Sequence, residues 1–387
     1  MREFPSLGEP VDQISPATFK RRLDDGEEFT LLDTRKPDEY ESWQITHPNL
    51  TVVNIPFMRF LDADNEHPAT AVPAGIPEGP LVTCCAKGLS SFYVAEFLHR
   101  EGFDVLALED GMEGWANLYQ HRPVETASAG GEVIQFHRPS SGCLSYLFVA
   151  DGEAAVIDPL RAFTEEYATV VGEYGATLEY AIDTHVHADH VSGVREVAAA
   201  TAATAVLPAG ATERGLEFDA TLVDDGETFA LGDREITARA LPGHTTEMTG
   251  YEFAGVLASG DTVFLDSVAR TELEDEQAAR DAAGVLWETV QALSELDDGT
   301  TVAPGHVGPT TAPGEDGSFS ASVADLQDRL RAFDEPKEEF IDRVTSNLPP
   351  QPANFAEIID LNLGRTSADS EAVFELELGP NNCAVSE

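Results

Sequence analysis

The strongest constraint in this chain is a set of five histidines and two aspartates that must converge on one place. His185, His187, Asp189 and His190 lie in Thr-His-Val-His-Ala-Asp-His (184–190), and His244 lies in Leu-Pro-Gly-His-Thr (241–245). Asp261 follows in Ala-Ser-Gly-Asp-Thr (258–262) and His306 in Pro-Gly-His (304–306). The first motif falls where the strand-like Tyr180–Asp183 gives way to a helical pattern expected over 189–200. A strand end there projects alternate side chains into one cleft, and the helix start is expected to add Asp189 and His190 to its rim. His244 and Asp261 both sit in loops after apolar strands, next to glycines that allow a sharp turn. Isolated histidines are usually satisfied core or surface residues, and His47, His67, His99, His121 and His137 read that way. Seven ligand-type side chains are costly to bury together without an ion. Imidazole and carboxylate without thiolate suit Zn, Fe(II) or Mn rather than a closed structural zinc knot.

The rest of the chain divides around this pattern. Before residue 123, short buried strands (29–33, 51–55, 81–84, 105–108) alternate with helical spacing, as at 90–101 where Gly102 supplies the stop. Such alternation implies a small parallel sheet with flanking helices. Residues 123–132 have no apolar period and read as a linker. Strand pairs follow, with 144–150 and 154–157 split by a turn at Asp151-Gly152. The tail after 309 holds a helix expected at 320–333 and a proline-rich turn at 349–352.

Composition narrows the function classes. Asp and Glu number 70 against 23 Lys and Arg, a formal net charge of -47, and only Lys20, Lys36, Lys87 and Lys337 are lysines. This balance excludes nucleic acid and anionic membrane as partners, since both need basic side chains to neutralise phosphate. It resembles cytoplasmic proteins of salt-accumulating halophiles, where about 1 M salt shortens the Debye length to roughly 3 Å, with an acidic mesophile enzyme as the alternative. No stretch reaches the ~18 apolar residues of a membrane span, and Met1–Pro10 has no apolar signal core. Four cysteines (Cys84, Cys85, Cys143, Cys383) are too few for a disulfide scaffold, so a reducing cytoplasm is expected.

The histidine motifs resemble the metallo-β-lactamase superfamily over about residues 132–310, which implies an αββα sandwich with metals at the sheet edges. Val-Ile-Asp-Pro (156–159), Gly-Asp-Thr-Val-Phe-Leu-Asp-Ser-Val-Ala-Arg-Thr (260–271) and the tail Leu-Pro-Pro-Gln-Pro-Ala-Asn-Phe-Ala-Glu-Ile-Ile-Asp-Leu-Asn-Leu-Gly (348–364) are most similar to persulfide (sulfur) dioxygenases within it. That resemblance implies one Fe(II) per chain held by His185, His244 and Asp261, a two-His-one-carboxylate triad that leaves positions for a substrate sulfur and O2. His187, Asp189, His190 and His306 would orient those ligands or, in a glyoxalase II-like hydrolase with two Zn, complete a second metal site. Arg270 is either a substrate-carboxylate clamp or a structural ion pair.

In the first part, Leu-Val-Thr-Cys-Cys-Ala-Lys-Gly-Leu-Ser-Ser (81–91) places Cys85 after a strand and before a helix. Inward N–H groups and the helix N-terminus favour a thiolate or persulfide there, making Cys85 a candidate nucleophile, while Cys84 reads as an inert core thiol. The loop resembles rhodanese, as do Leu-Leu-Asp-Thr-Arg-Lys-Pro-Asp-Glu-Tyr (31–40), Val-Asn-Ile-Pro (53–56) and Leu-Glu-Asp-Gly-Met-Glu-Gly-Trp (108–115). The resemblance implies sulfur transfer through a Cys85 persulfide, with Asp33 and Arg35 bracing the loop. Ala86 and Ser90 stand where the family carries arginines, leaving Lys87 as the loop's cation for an anionic donor.

Together these readings give an α/β rhodanese domain (1–123), a linker (124–131), an αββα metallo-β-lactamase domain (132–310) and a C-terminal extension packing on it (311–387). The expected function is oxidation of a low-molecular-weight thiol persulfide by O2 to sulfite, with glyoxalase II-like thioester hydrolysis as the alternative. The sequence does not specify the oligomeric state; a homodimer is one option, as the commonest closed form.

Overall fold

The computed structural model describes residues 6–62, 67–125, 130–271, 278–346, 348 and 351–378. Cys383 and parts of the expected linker and of the proline-rich turn lie outside these. Two compact units emerge. One comprises the chain up to Leu118 with Arg138–Ser141, and the other Tyr119–His137 with the chain from Gly142 onward.

In the first unit, strands β1 (Gln13–Ile14), β2 (Phe29–Asp33), β3 (Leu50–Asn54), β4 (Leu81–Cys84) and β5 (Val105–Leu108) form one sheet in the order β1-β5-β4-β2-β3. Every pairing is parallel. The short apolar runs are buried on both faces, as an all-parallel sheet with helices on either side requires. Alternation sorts them: Leu31, Val82 and Cys84 join one core with Phe19 and Trp115, while Leu32 and Leu81 join the other with Val94, Phe97 and Leu98 of the helix Leu89–Arg100. Cys84 thus points into a core, and burial pushes its thiol pKa well up. Ser15 caps the helix Pro16–Asp24, its hydroxyl accepting from the Thr18 N–H at 3.3 Å.

The second unit is a two-sheet sandwich. Strands β6 (Gln120–Val124), β7 (Glu132–Arg138), β8 (Cys143–Ala150), β9 (Glu153–Ile157), β10 (Thr177–Ile182), β11 (Thr204–Pro208) and β12 (Thr221–Val223) form a seven-stranded mixed sheet in the order β12 to β6. The facing sheet has six strands: β13 (Thr228–Leu231), β14 (Arg234–Ala240), β15 (Thr249–Phe253), β16 (Val256–Gly260), β17 (Thr301–Pro304) and β18 (Ala321–Ser322). Leu144, Tyr146 and Phe148 of β8 meet Ile236, Tyr251 and Phe253 between the sheets, and Leu147 and Val149 bury the other face under helices. This is the αββα arrangement expected from the sequence.

Three boundaries differ from the sequence reading. β6 lies before the expected linker yet pairs antiparallel with β7, so it belongs to the second unit's sheet. The helix expected over 189–200 runs Val194–Thr201, because Val191 and Ser192 give their N–H groups to side chains of the C-terminal segment instead of a helical turn. The helix expected at 320–333 stops at Arg329 and resumes as the short turn Arg331–Phe333, with Leu330 extended between them. No helix among the described residues is long and apolar enough to cross a membrane.

Candidate functional site

Asp158, at the end of β9, organises the histidine motif from below. Its backbone is left-handed (φ 50°), which turns the carboxylate toward the end of β10. Oδ1 accepts the Thr184 N–H at 2.7 Å, and Oδ2 accepts the Thr184 hydroxyl at 2.9 Å. With its only proton committed to Asp158, the Thr184 hydroxyl accepts from His185 Nδ1, 2.9 Å away. Protonation at Nδ1 leaves the lone pair of His185 Nε2 bare. Asp158 Oδ1 also accepts from His187 Nε2 at 3.1 Å, which leaves Nδ1 as that ring's lone pair. His244 Nδ1 donates to the Arg270 carbonyl at 2.8 Å and turns Nε2 inward, 3.9 Å from Asp261 Oδ2.

These arrangements leave metal-ligand atoms without partners. His185 Nε2, His187 Nδ1, His190 Nε2 and Asp261 Oδ2 are all buried with no hydrogen-bond partner. Four orphaned buried polar atoms would cost several kcal/mol unless cations satisfied them, at roughly 1–3 kcal/mol for each. The residues therefore fit a metal. Among the described residues the ligand-type side chains fall into three groups: His185 with His244 and Asp261; Cys143 with Asp189, His190 and His306; and Asp158 with Asp183 and His187.

Charge states follow from burial and neighbours. Burial, reinforced by His187 and His244, holds His185 well below the usual histidine pKa, and so neutral. Burial alone would raise Asp189 and Asp261, but His306 outweighs it and holds both below the usual carboxylate range. His306 spans the two, Nδ1 at 2.5 Å from Asp261 Oδ1 and Nε2 at 2.8 Å from Asp189 Oδ2, and its pKa is raised against burial by these carboxylates. A proton and a cation thus compete for the same position. Gly305 is required beside it, since a Cβ there would lie 2.5 Å from Asp261 Oδ1.

In the first unit, Cys85 follows β4 and the helix Leu89–Arg100 starts four residues later. Cys85 is 5% exposed, and the Ser91 hydroxyl donates to its sulfur at 3.3 Å. The loop is pinned by Met112 N–H to the Cys85 carbonyl (2.8 Å) and Glu113 N–H to the Ala86 carbonyl (3.0 Å). Gly111 permits this approach, because a Cβ there would fall 2.1 Å from the Cys85 carbonyl oxygen. Arg35 grips Asp33 through Nε and Nη2 at 3.0 and 2.7 Å and also reaches the Trp43 carbonyl, a brace under the loop. Lys87 is exposed and pairs with Glu113 at 2.9 Å.

A profile of the Metallo-beta-lactamase superfamily matches residues 139–306, and one of the Rhodanese-like domain matches residues 15–118. The chain joins a rhodanese-like domain to a metallo-beta-lactamase superfamily domain. Hydroxyacylglutathione hydrolase of Rhodospirillum rubrum is 33% identical over 159 residues, 41% of this chain and 58% of that protein. The beta-lactamase hydrolase-like protein of Xylella fastidiosa is 26% identical over 205 residues, 45% of this chain and 46% of that protein. The chain thus spans about half the length of such curated relatives. The crystal structure of ETHE1 from Myxococcus xanthus matches with a TM-score of 0.52 and 26% identity over 60% of this chain and 97% of its own. A metallo-beta-lactamase from Staphylococcus aureus matches with a TM-score of 0.55 and 25% identity over 60% of this chain and 72% of its own.

The metallo-beta-lactamase domain brings together all seven residues that the sequence pattern marked, but in separate groups. Asp189 and His190 reach the site from a loop, not from a helix start. Arg270 is buried, and its carbonyl orients His244. Four residues were missed, among them Asp183, which groups with Asp158 and His187. Cys143 is brought in by an antiparallel bridge to His306, a pairing 163 positions apart for which no spacing signal exists. Asp158 lies in a motif noted only for its resemblance. Asn362, in the C-terminal segment, donates from Nδ2 to the His187 and His190 carbonyls (2.9 Å each) and accepts from Ser192 N–H at 2.9 Å.

Proposed function

We propose that the chain is an iron-dependent persulfide dioxygenase fused to a sulfur-transferring rhodanese domain. The observation that carries this reading is the grouping of His185, His244 and Asp261, two imidazoles and one carboxylate whose ligand atoms lie within 4.8 Å of one another. That donor set suits Fe(II) with positions left open, and the sequence resemblance to persulfide dioxygenases and the similarity to ETHE1 support it. Bound there, Fe(II) would supply redox chemistry that no side chain of the chain can.

The protein's own part is to hold and orient. The Asp158–Thr184 relay fixes the His185 tautomer, and the Arg270 carbonyl fixes that of His244. Overall, a persulfide R–S–SH, O2 and water give R–SH, sulfite and two protons. In the rhodanese domain, the Cys85 sulfur would attack the outer sulfur of a donor persulfide, forming the Cys85 S–S bond as the donor's S–S bond breaks and its thiol leaves. The N–H groups of the loop and Lys87 would stabilise the resulting anion.

A glyoxalase II-like dinuclear hydrolase is the second reading, favoured by Asp189, His190 and His306 beside the triad and by the hydroxyacylglutathione hydrolase similarity. Metal analysis with an oxygen electrode separates the two. One iron per chain with persulfide-dependent O2 uptake and sulfite release supports the dioxygenase; two metals with thioester cleavage and no O2 uptake overturns it. Cys85→Ser should abolish sulfur transfer and leave O2 uptake intact.

A further inference from the structure

We propose that Glu247 is a positioning residue for the metal loop: its carboxylate sets the backbone between His185 and His187 against the loop of His244, and Arg214 holds it there. Glu247 lies three residues after His244, in Pro-Gly-His-Thr-Thr-Glu (242–247). Strand β15 begins at Thr249, whose N–H donates to the Thr184 carbonyl at 2.9 Å. An antiparallel continuation of that bond would pair the Val186 N–H with the Glu247 carbonyl. Instead the Glu247 carbonyl accepts the Thr249 hydroxyl (3.0 Å), and the side-chain Oε1 of Glu247 accepts the Val186 N–H at 2.9 Å. The carboxylate stands in for a main-chain acceptor, so the chain bends away toward His244 without leaving the buried Val186 N–H unpaired.

A buried carboxylate needs a matching cation, and Arg214 supplies it: its Nη1 donates to the same Oε1 at 2.7 Å, with the Glu247 side chain wholly buried. The segment bearing Arg214 is fixed in turn by Arg365, whose guanidinium donates to the Arg214 and Gly215 carbonyls. The turn Ala209–Thr212 closes on the glutamate from another side, since a Cβ on Gly210 would lie 2.8 Å from the Glu247 Cβ. Oε1 thus makes both bonds, while Oε2 is buried with no hydrogen-bond partner. An amide nitrogen in place of Oε2 would therefore lose no hydrogen bond, whereas removing Oε1 strands an N–H midway between two histidines. Glu247 falls in none of the ligand groups, so it acts on the metal through the backbone and not as a ligand. The inference rests on a metal at His185 and not on which reaction that metal serves.

The test uses the full chain stripped with a chelator and loaded with Co(II), whose visible d–d bands report ligand geometry. Glu247→Ala should shift those bands and weaken Co(II) binding, read by chelator competition, about 10- to 100-fold. Glu247→Gln keeps the acceptor for Val186 and should show the natural bands and an affinity within about threefold of the natural protein, although its urea midpoint falls. Arg343→Met is the control for lost stability alone: it breaks another buried pair, Arg343 with Glu335 at 2.8 Å, and should lower the urea midpoint without changing bands or affinity. Should Glu247→Ala not fold, Glu247→Asp, whose carboxylate stops one methylene short of Val186, takes its place with the same expectation. Natural bands and affinity in the variant lacking the contact, bands in Glu247→Gln as altered as in that variant, or a matching change in Arg343→Met would each overturn the proposal. A natural protein that binds no Co(II) would overturn it together with the metal reading.

Discussion

Asn362 offers the sharpest test of how the C-terminal segment serves the metal loop. It is 6% exposed and closes three hydrogen bonds to the backbone of residues 187–192, the stretch that carries His187, Asp189 and His190. Asn362→Ala removes all three and leaves two carbonyls and an N–H buried without these partners. At about 1 kcal/mol net for each bond, the loop should lose about 3 kcal/mol of local stability. Hydrogen exchange of a peptide spanning 186–194 should then accelerate by roughly 100-fold, since each 1.4 kcal/mol is a factor of ten. Metal affinity, read by competition with a chromophoric chelator, should fall by about 10- to 100-fold, as for other residues that orient ligands. Asn362→Asp keeps an acceptor for Ser192 but sets a carboxylate oxygen against two carbonyls, so it should be no milder at neutral pH. If Asn362→Ala exchanges at the rate of the natural protein and binds metal equally well, the loop is set by its own motif and the reasoning fails.

Three further outcomes are expected. Thr184→Val preserves shape but cuts the relay between Asp158 and His185; metal affinity measured by chelator competition should drop about 10- to 100-fold while the circular dichroism spectrum stays the same. Burial, opposed by His187, raises Asp183 to about 6, so in chelator-stripped protein its contribution is fullest below its unfolded pKa and is lost as pH rises through about 6. Asp183→Asn should consequently be more stable than the natural protein above pH 7, by an amount of order 1–3 kcal/mol, with the gap closing toward pH 4 in denaturant titrations. Finally, the net charge of -47 should make stability rise between millimolar and molar KCl as repulsion is screened; a steady fall with salt would refute the halophilic reading.

The sequence by itself determined the fold class, because binary patterning is local: alternating runs before residue 119 and paired strands after it leave few ways to bury their apolar faces. It also marked ligand-type side chains that the fold gathers, since His185, His244, Asp261 and His306 each sit beside glycine or at a strand end, where backbone geometry aims them at one sheet edge. Only the tertiary structure decided how those ligands are divided. Hydrogen bonds from Asp158, Thr184 and the Arg270 carbonyl choose which nitrogen of each ring faces inward, and none of these choices is encoded in spacing. The same holds for Cys143 and Asn362, which enter the site through contacts 163 and 172 to 175 positions apart. A short motif fixes directions over a few residues; the closing of β8 onto His306 and of the last helices onto the histidine loop depends on the whole core being in place.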